Sequence, residues 1–464
     1  MGRLFGTDGI RGIANAELTP ELALALGRAL VILLRETGLP RPTVLVGRDP
    51  RWSGELLESA LMAGVASAGG DATAIGVLPT PGVAYLTATC GVAAGAVISA
   101  SHNPVSDNGI KVFGGDGFKL TDAEEERLEE LVREADGDRP TGTKIGRICH
   151  DPTLVAAYVE HLVAAAEAEF HGLRVVLDAS NGAASHIAPL VYRRLGAELV
   201  ELHCSPDGAN INAGVGSTHP EVVAGAVVAH DADIGLSHDG DADRLIAAAA
   251  DGSEIDGDST LAILALARKD AGSLRQNLVV TTIMTNLGFK RAMQQHDIDV
   301  VETKVGDRYV LEAMRERGAV LGGEQSGHLI QLDEATTGDG ILTAVKLLSV
   351  MRSSGRPLAE LAKVMTRLPQ VLTNVHVADR TSLDRAGTVW EAVRREQERL
   401  EGDGRVLVRP SGTEPLVRIM VEAPSERMAA DCAQRIATVV RSTLNGGSSA
   451  QVAGPDDRNS SWSR

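Results

Sequence analysis

Thr43-Val44-Leu45-Val46 is a short apolar run with β-branched residues, and it reads as a buried strand. What flanks it decides the fold class. Upstream, Thr19-Pro20-Glu21 offers a capping hydroxyl and then proline at the first helical position. Leu22, Leu26, Leu30 and Leu33 follow at helical spacing, and Gly38 can end that helix. Downstream, residues 54–68 fit a second helix. Helices and a buried strand alternating in this way are the signature of an α/β domain.

The pattern recurs along the chain. Residues 173–177 form a strand ending at Asp178, and Asn181-Gly182 turns into a helical segment. Residues 198–202 and 278–283 read as further strands, the latter followed by a helix from Leu287. Three successive α/β units with mixed sheets are expected, without a fixed-period repeat. The last segment differs. Residues 371–377 and 417–421 alternate as half-buried strands do, and a helix runs from Ser425 towards Leu444. This predicts a smaller C-terminal α+β domain. Residues 446–464 are rich in Gly, Ser, Asp and Asn and read as a disordered tail. The expected domains are 1–152, 153–252, 253–368 and 369–445.

Composition agrees with several packed cores: 44% of the 464 residues are hydrophobic and 23% charged. Aromatics are only 3%, so Ala, Val, Leu and Ile must build those cores, and base-stacking nucleic-acid platforms are not expected. The net charge of -17 is opposite to that of a phosphate-backbone binder. A few arginines in one cleft can still reverse the local field for a small anion. Cys90, Cys149, Cys204 and Cys432 are scattered and suggest neither a zinc site nor a disulfide framework. The N-terminal residues lack the apolar core of a signal peptide, and no apolar run spans a bilayer, so a cytoplasmic protein without membrane or nucleic-acid partners is expected.

Four polar motifs need a chemical reading. In Ile98-Ser99-Ala100-Ser101-His102-Asn103-Pro104, an apolar strand runs into a polar turn, where a serine can act as nucleophile or carry a covalent group. A capped turn serving only the backbone would look the same. In Asp239-Gly240-Asp241-Ala242-Asp243-Arg244, three carboxylates at alternate positions can converge on one hard cation such as Mg2+. An EF-hand is excluded because the twelfth position is Ala250, not Glu. Gly322-Gly323-Glu324-Gln325-Ser326-Gly327-His328 offers backbone approach with acceptors and donors suited to sugar hydroxyls, or is an ordinary glycine-rich turn. Arg409-Pro410-Ser411-Gly412-Thr413-Glu414-Pro415, with Arg418 following, has the short hydroxyls and guanidinium groups of a phosphate cradle, or is a loop between two strands. The motifs fall one per expected domain. Together they supply the parts phosphoryl transfer needs: a carrier oxygen, a divalent cation and anchors that orient the acceptor.

With these motifs the chain resembles the α-D-phosphohexomutase superfamily, and within it the bacterial phosphoglucosamine mutases. The resemblance runs from Arg3 to Leu444. It is carried further by Phe5-Gly6-Thr7-Asp8-Gly9-Ile10-Arg11-Gly12, Pro206-Asp207-Gly208-Ala209-Asn210-Ile211-Asn212, Gly216-Ser217-Thr218-His219-Pro220-Glu221 and Thr303-Lys304-Val305-Gly306-Asp307-Arg308-Tyr309-Val310. It implies a heart-shaped four-domain architecture. It also implies interconversion of glucosamine 6-phosphate and glucosamine 1-phosphate, a step towards UDP-N-acetylglucosamine and the cell wall.

The resemblance further implies that Ser101 bears a phosphate and that a sugar 1,6-bisphosphate serves as primer and intermediate. Ser101, Asp239, Asp241 and Asp243 are then the Mg2+ ligands. Arg11 and Arg244 lie near the transferring phosphate, and His102 is a hydrogen-bond partner of the serine loop. Lys111 is the general acid/base candidate, on the reasoning that a desolvated lysine beside other cations has a lowered pKa; the alternative is a plain phosphate-pairing lysine. Glu324 and Ser326 read sugar hydroxyls, and Lys304, Asp307, Arg308 and His328 join them in the substrate site. Arg409, Ser411, Gly412, Thr413 and Arg418 hold the non-reacting phosphate. A kinase for Ser101 and a monomeric or homodimeric state complete the expected partners. His238 and Ala242 depart from the usual pattern without removing a ligand. The rival readings are a phosphoglucomutase/phosphomannomutase of the same fold, a metal-dependent phosphatase, and a sugar-phosphate sensor.

Overall fold

The computed structural model describes residues 4–6, 8–134, 139–411 and 414–445. The tail read over residues 446–464, and the candidate ligands Gly412 and Thr413, lie outside them. The chain divides into two compact units, one of Met1–Met284 and His296–Val364, the other of Thr285–Gln295 and Met365–Arg464.

Three sheets make up the first unit. The N-terminal one has six strands, in the order Ile10–Ile13, Asp107–Gly114, Ala94–Ile98, Thr43–Arg48, Asp71–Val77 and Ile148–His150. Its last four are parallel, while Asp107–Gly114 runs antiparallel to both neighbours. The helix Pro20–Glu36 starts as its residues dictate: Thr19 Oγ1 accepts from Leu22 N at 3.3 Å, and Pro20 stands where no donor is needed. The second sheet, Arg174–Asp178, Glu198–Leu202, Ile234–Ser237, Ile246–Ala249 and Glu254–Ile255, is likewise mixed. The third pairs Leu278–Thr282 with Asp299–Thr303 and Leu321–Gly323 in parallel, and adds Leu329–Gln331 antiparallel. One core joins the first two sheets, from Leu45 and Val97 through Leu177 and Leu236 to the helix Gly340–Ser354, while the third sheet packs its own cluster around Leu278, Val280, Val310 and Ile330.

The second unit carries a three-stranded antiparallel sheet in the order Gln370–His376, Leu416–Glu422, Arg405–Pro410. The helix Glu426–Leu444, capped by Ser425, packs on it. Residues 417–421 were expected to be half-buried; Leu416–Glu422 is nearly wholly buried because it is the central strand. Arg409 and Pro410, read from the sequence as part of a loop, instead end the edge strand Arg405–Pro410; proline cannot donate to a ladder, and only the pairing shows that it closes the strand.

Candidate active site

The buried strand Ala94–Ile98 delivers Ser99, Ala100 and Ser101 to its C-terminal end. Ser101 is 1% exposed and its φ is 51°, in the left-handed region that non-glycine residues seldom occupy. Its hydroxyl donates to Asp239 Oδ2 at 2.5 Å, and His102 Nδ1 lies 3.3 Å from Ser101 Oγ. Burial, with the nearby Arg244 and Arg11, pushes the His102 imidazole down to about 4. A ring neutral at pH 7 suits the role of hydrogen-bond partner.

Asp239, Asp241 and Asp243 follow the strand Ile234–Ser237, and their ligand oxygens lie within 4.8 Å of one another. Small residues between them let the chain turn tightly enough for convergence; Ala242 takes φ 55°. Each carboxylate leaves its Oδ1 buried and without a hydrogen-bond partner. Asp241 Oδ2 accepts from Thr80 Oγ1 at 2.7 Å and from Lys111 Nζ at 2.9 Å. Burial and the charges of Asp243 and Asp241 hold the Asp239 carboxyl well above the usual carboxylate range. At Asp241 burial pushes upward too, but Lys111 and Thr80 outweigh it and hold the group low. A converging carboxylate cluster with three buried, unpartnered oxygens fits a hard divalent cation, since such a cluster left uncompensated is costly.

The surroundings expected for Lys111 are corrected: it does not stand among cations with a lowered pKa. It sits on the strand Asp107–Gly114, 2% exposed, but its neighbours are carboxylates: Asp241 at 2.9 Å, Asp8 at 3.1 Å and Asp243 at 3.5 Å. Burial alone would lower its pKa, yet these three outweigh burial and Arg11, and it is held well above the ordinary lysine value. In this arrangement it pairs with three carboxylates. Asp8 in turn bridges to Lys119 at 2.7 Å, and Lys119 reaches Asp307 at 2.5 Å. Acids and bases thus alternate from the metal loop to the third sheet's domain.

Next to the serine lies a cleft of ≈ 470 Å³. Asp8, Arg11 and His102 line it with Asp243 and Arg244 of the metal loop and with Gly306, Asp307, Glu324 and His328 from later in the chain. Arg11 Nε and Arg244 Nε are buried without a hydrogen-bond partner, which leaves guanidinium donors for an anion. Glu324 Oε1 accepts from Gly306 N at 3.0 Å. His328 is 3% exposed, with both ring nitrogens unpartnered among the described residues. Its Nε2 stands 3.8 Å from Asp307 Oδ2 and 4.0 Å from Asp243 Oδ2. Polar groups from separate parts of the chain therefore line one volume large enough for a small, highly polar ligand.

Known proteins share the whole chain's pattern. The phosphoglucomutase/phosphomannomutase family models match in chain order: alpha/beta/alpha domain I at residues 2–139, domain II at 156–252, domain III at 256–368 and the C-terminal domain at 372–439. The phosphoglucosamine mutase of Frankia alni is 53% identical over 451 residues, 96% of this chain and 99% of that one. That of Saccharopolyspora erythraea is 54% identical over 441 residues, 95% and 99% of the two. The chain belongs to the phosphoglucosamine mutase family. Its fold is shared with a phosphoglucomutase/phosphomannomutase family protein from Burkholderia thailandensis, with a TM-score of 0.81 at 26% identity over 96% of this chain and 98% of that one. The family makes it a phosphomutase, an enzyme of the isomerase class.

Against that family pattern, one candidate substrate ligand is corrected. Arg308 turns away from the cleft: its guanidinium pairs with Asp122 and Glu125 of the helix Asp122–Arg133 and with Leu120 O at 3.3 Å. Asp307, one residue earlier, is the cleft residue. Lys304 is exposed, 5.9 Å over the Tyr309 ring, and Ser326 is exposed; neither lines the cleft. In the second unit, Arg409 and Arg418 stand directly opposite each other across paired strands. Arg418 pairs with Glu414 at 3.1 Å but leaves its buried Nε unpartnered. Ser411 is buried beside them in sequence, its hydroxyl accepting from Glu414 N at 3.4 Å. Two like charges directly opposite each other are destabilising, and Glu414 offsets Arg418 in part.

Sequence reasoning missed Asp8, Lys119, Thr80, Asp49, Arg51 and Asn212. Asp8 and Asn212 sat inside motifs quoted for the family, without a role. Asp49-Pro50-Arg51, two charges at the mouth of an apolar strand, was the signal for the buried pair.

Proposed function

We propose that this phosphomutase interconverts glucosamine 6-phosphate and glucosamine 1-phosphate by way of a phosphorylated Ser101. The observation that carries the reading is the Ser101 hydroxyl donating to Asp239, within a buried carboxylate triad whose remaining oxygens are unsatisfied. In the forward half-reaction the Oγ–P bond of phosphoserine breaks and a P–O bond to the free sugar hydroxyl forms. The proton that the sugar hydroxyl loses is the one Ser101 Oγ regains. A glucosamine 1,6-bisphosphate results; it returns its other phosphoryl group to Ser101 after reorienting, and the same bisphosphate primes the enzyme.

The chain's own residues set up this exchange. Arg11 and Arg244 present unpartnered guanidinium donors to the transferring group. His102, neutral at pH 7, hydrogen-bonds the serine oxygen. Lys111 acts as a fixed cation between the acids. Glu324, Asp307 and His328 line the wall suited to the sugar's hydroxyl and amino groups, with Lys304 and Ser326 at most outlying contributors. Arg409, Ser411 and Arg418 anchor the non-reacting phosphate. Mg2+ held by Asp239, Asp241, Asp243 and Ser101 would offset charge on the moving phosphoryl group.

The test is Ser101→Ala with specificity constants for glucosamine 1-phosphate, glucose 1-phosphate and mannose 1-phosphate. The variant should fold and lose nearly all turnover, and the wild type should prefer the amino sugar. Full turnover by the variant would remove the phosphoserine mechanism. A preference for a neutral hexose phosphate would favour the phosphoglucomutase/phosphomannomutase alternative, which the relatives at 53% and 54% identity support less.

A further inference from the structure

Arg51 is among the largest fully buried side chains of the described residues, with 0% exposure. A guanidinium has five N–H donors and no acceptor, and burying it is costly unless every donor is used. Here all are. Nε donates to Asp49 Oδ2 at 2.8 Å, and Asp49 is itself 0% exposed. Nη2 donates to Ser101 O at 3.0 Å and Asn103 O at 2.8 Å. Nη1 donates to Asp107 O at 3.1 Å and to Pro104 O. The second carboxylate contact also reaches the serine: Ser99 Oγ donates to Asp49 Oδ2 at 2.6 Å and accepts from Ser101 N at 3.0 Å.

The second sheet's domain grips the same carbonyls. Asn212 Nδ2 donates to Ser101 O at 2.8 Å and to Asn103 O at 3.1 Å. Both the amide and the carbonyl of Ser101 are therefore fixed by side chains that do not line the cleft and supply none of the triad's carboxylates. This matters because φ of 51° at Ser101 is an unfavourable conformation that surrounding contacts must impose. In that conformation the hydroxyl faces Asp239.

We infer that Arg51 and Asn212 are positioning residues for phosphoryl transfer: they hold the Ser101 backbone in its left-handed conformation and so aim the hydroxyl at the carboxylate triad. The inference rests on Ser101 being the phosphoryl carrier. It predicts an effect on the chemical step without one on sugar affinity.

Asn212→Asp is the sharper test. It keeps size and shape, and aspartate tolerates φ of 56° at this position, but the two donated hydrogen bonds are lost. Arg51→Lys keeps a charge beside Asp49 but cannot reach the four carbonyls. Each variant, as the full chain with Mg2+, is assayed for kcat and KM with glucosamine 1-phosphate, for phosphoryl uptake by Ser101 from glucosamine 1,6-bisphosphate, and for its unfolding midpoint. For Asn212→Asp, kcat and uptake should fall about 100-fold, as displacement of a reacting group by about 1 Å produces, with KM unchanged. An Asn212→Asp enzyme with wild-type kcat overturns the inference, as does a loss of activity that only tracks loss of folded protein. Arg51→Lys, where it folds, should show the same split. Ser101→Ala run alongside separates the two failures: if it turns over normally, the carrier reading itself falls; if it is inactive while Asn212→Asp is active, only the positioning role does.

Discussion

Replacing Gly240 by alanine should push the metal loop into the serine loop. Gly240 has no positive φ, so backbone strain does not enter and the effect is purely steric. An added Cβ would stand 2.5 Å from Ser101 O, 2.8 Å from Asn212 Nδ2 and 2.9 Å from Ile211 Cδ1. Ordinary contact begins at 3.4 Å, so the Ser101 carbonyl must retreat by about 0.9 Å. It cannot do so freely, because Arg51 and Asn212 both donate to it. Retreat of the metal loop is blocked as well: a Cβ on Gly182 would already stand 2.5 Å from Gly240 O, so that strand end has no slack. Overpacking of this kind costs about 1–3 kcal/mol of stability. A shift near 1 Å in a reacting group costs about 100-fold in rate, or about 2.7 kcal/mol of barrier. The assay is steady-state turnover of glucosamine 1-phosphate with Mg2+ and a bisphosphate primer, beside a thermal melt. We expect a folded enzyme with kcat about 100-fold lower and KM little changed. A folded Gly240→Ala variant with wild-type kcat would refute the claim that the two loops are locked together through this contact.

Other expectations bear on charge and backbone. Asp241→Asn should weaken the dependence of turnover on Mg2+ and shift its titration to higher concentration; an unchanged titration would remove Asp241 from the metal site. Ala242→Gly relieves a left-handed alanine at φ 55° and frees the unfolded chain, two effects of about 1 kcal/mol that oppose each other, but it also deletes a fully buried core methyl, so the protein should lose about 1 kcal/mol and melt a few degrees lower. An unchanged melting midpoint would show that the Ala242 methyl contributes nothing to packing. Asp339, fully buried, caps the helix Gly340–Ser354 and accepts from Tyr158 Oη at 2.8 Å. Burial raises its carboxyl from the ordinary 3.8 to about 6. A carboxyl raised in the folded state contributes stability that is present at low pH and lost as pH rises through about 6. Between pH 4 and 7 the wild type should therefore lose about 2 kcal/mol relative to Asp339→Asn. Parallel stability profiles for the two proteins would contradict that assignment.

The parts of the site that were legible early are those whose signal is local. Three acids at alternate positions with small spacers can only turn tightly, and they do converge. A serine after an apolar strand must emerge at the strand's end, and Ser101 does. Thr19-Pro20 and Ser425 announced helix starts through hydrogen bonds that span three residues. What stayed hidden depended on partners far away in the chain. Lys111 was expected among cations, yet its charge state is decided by Asp8 and Asp241, the latter 130 residues distant. Arg308 and Asp307 are adjacent in sequence, but one serves the cleft and the other a helix 183 residues away.

By itself, then, the sequence determined the α/β class, the order of the motifs and the chemistry each could offer, because periodicity, capping and ligand type are properties of a few neighbouring residues. Only the tertiary structure decided which of those groups are charged, paired or free. Burial, and the opposite charges that burial brings within about 3 Å, set those states, and neither is written in any short stretch of chain.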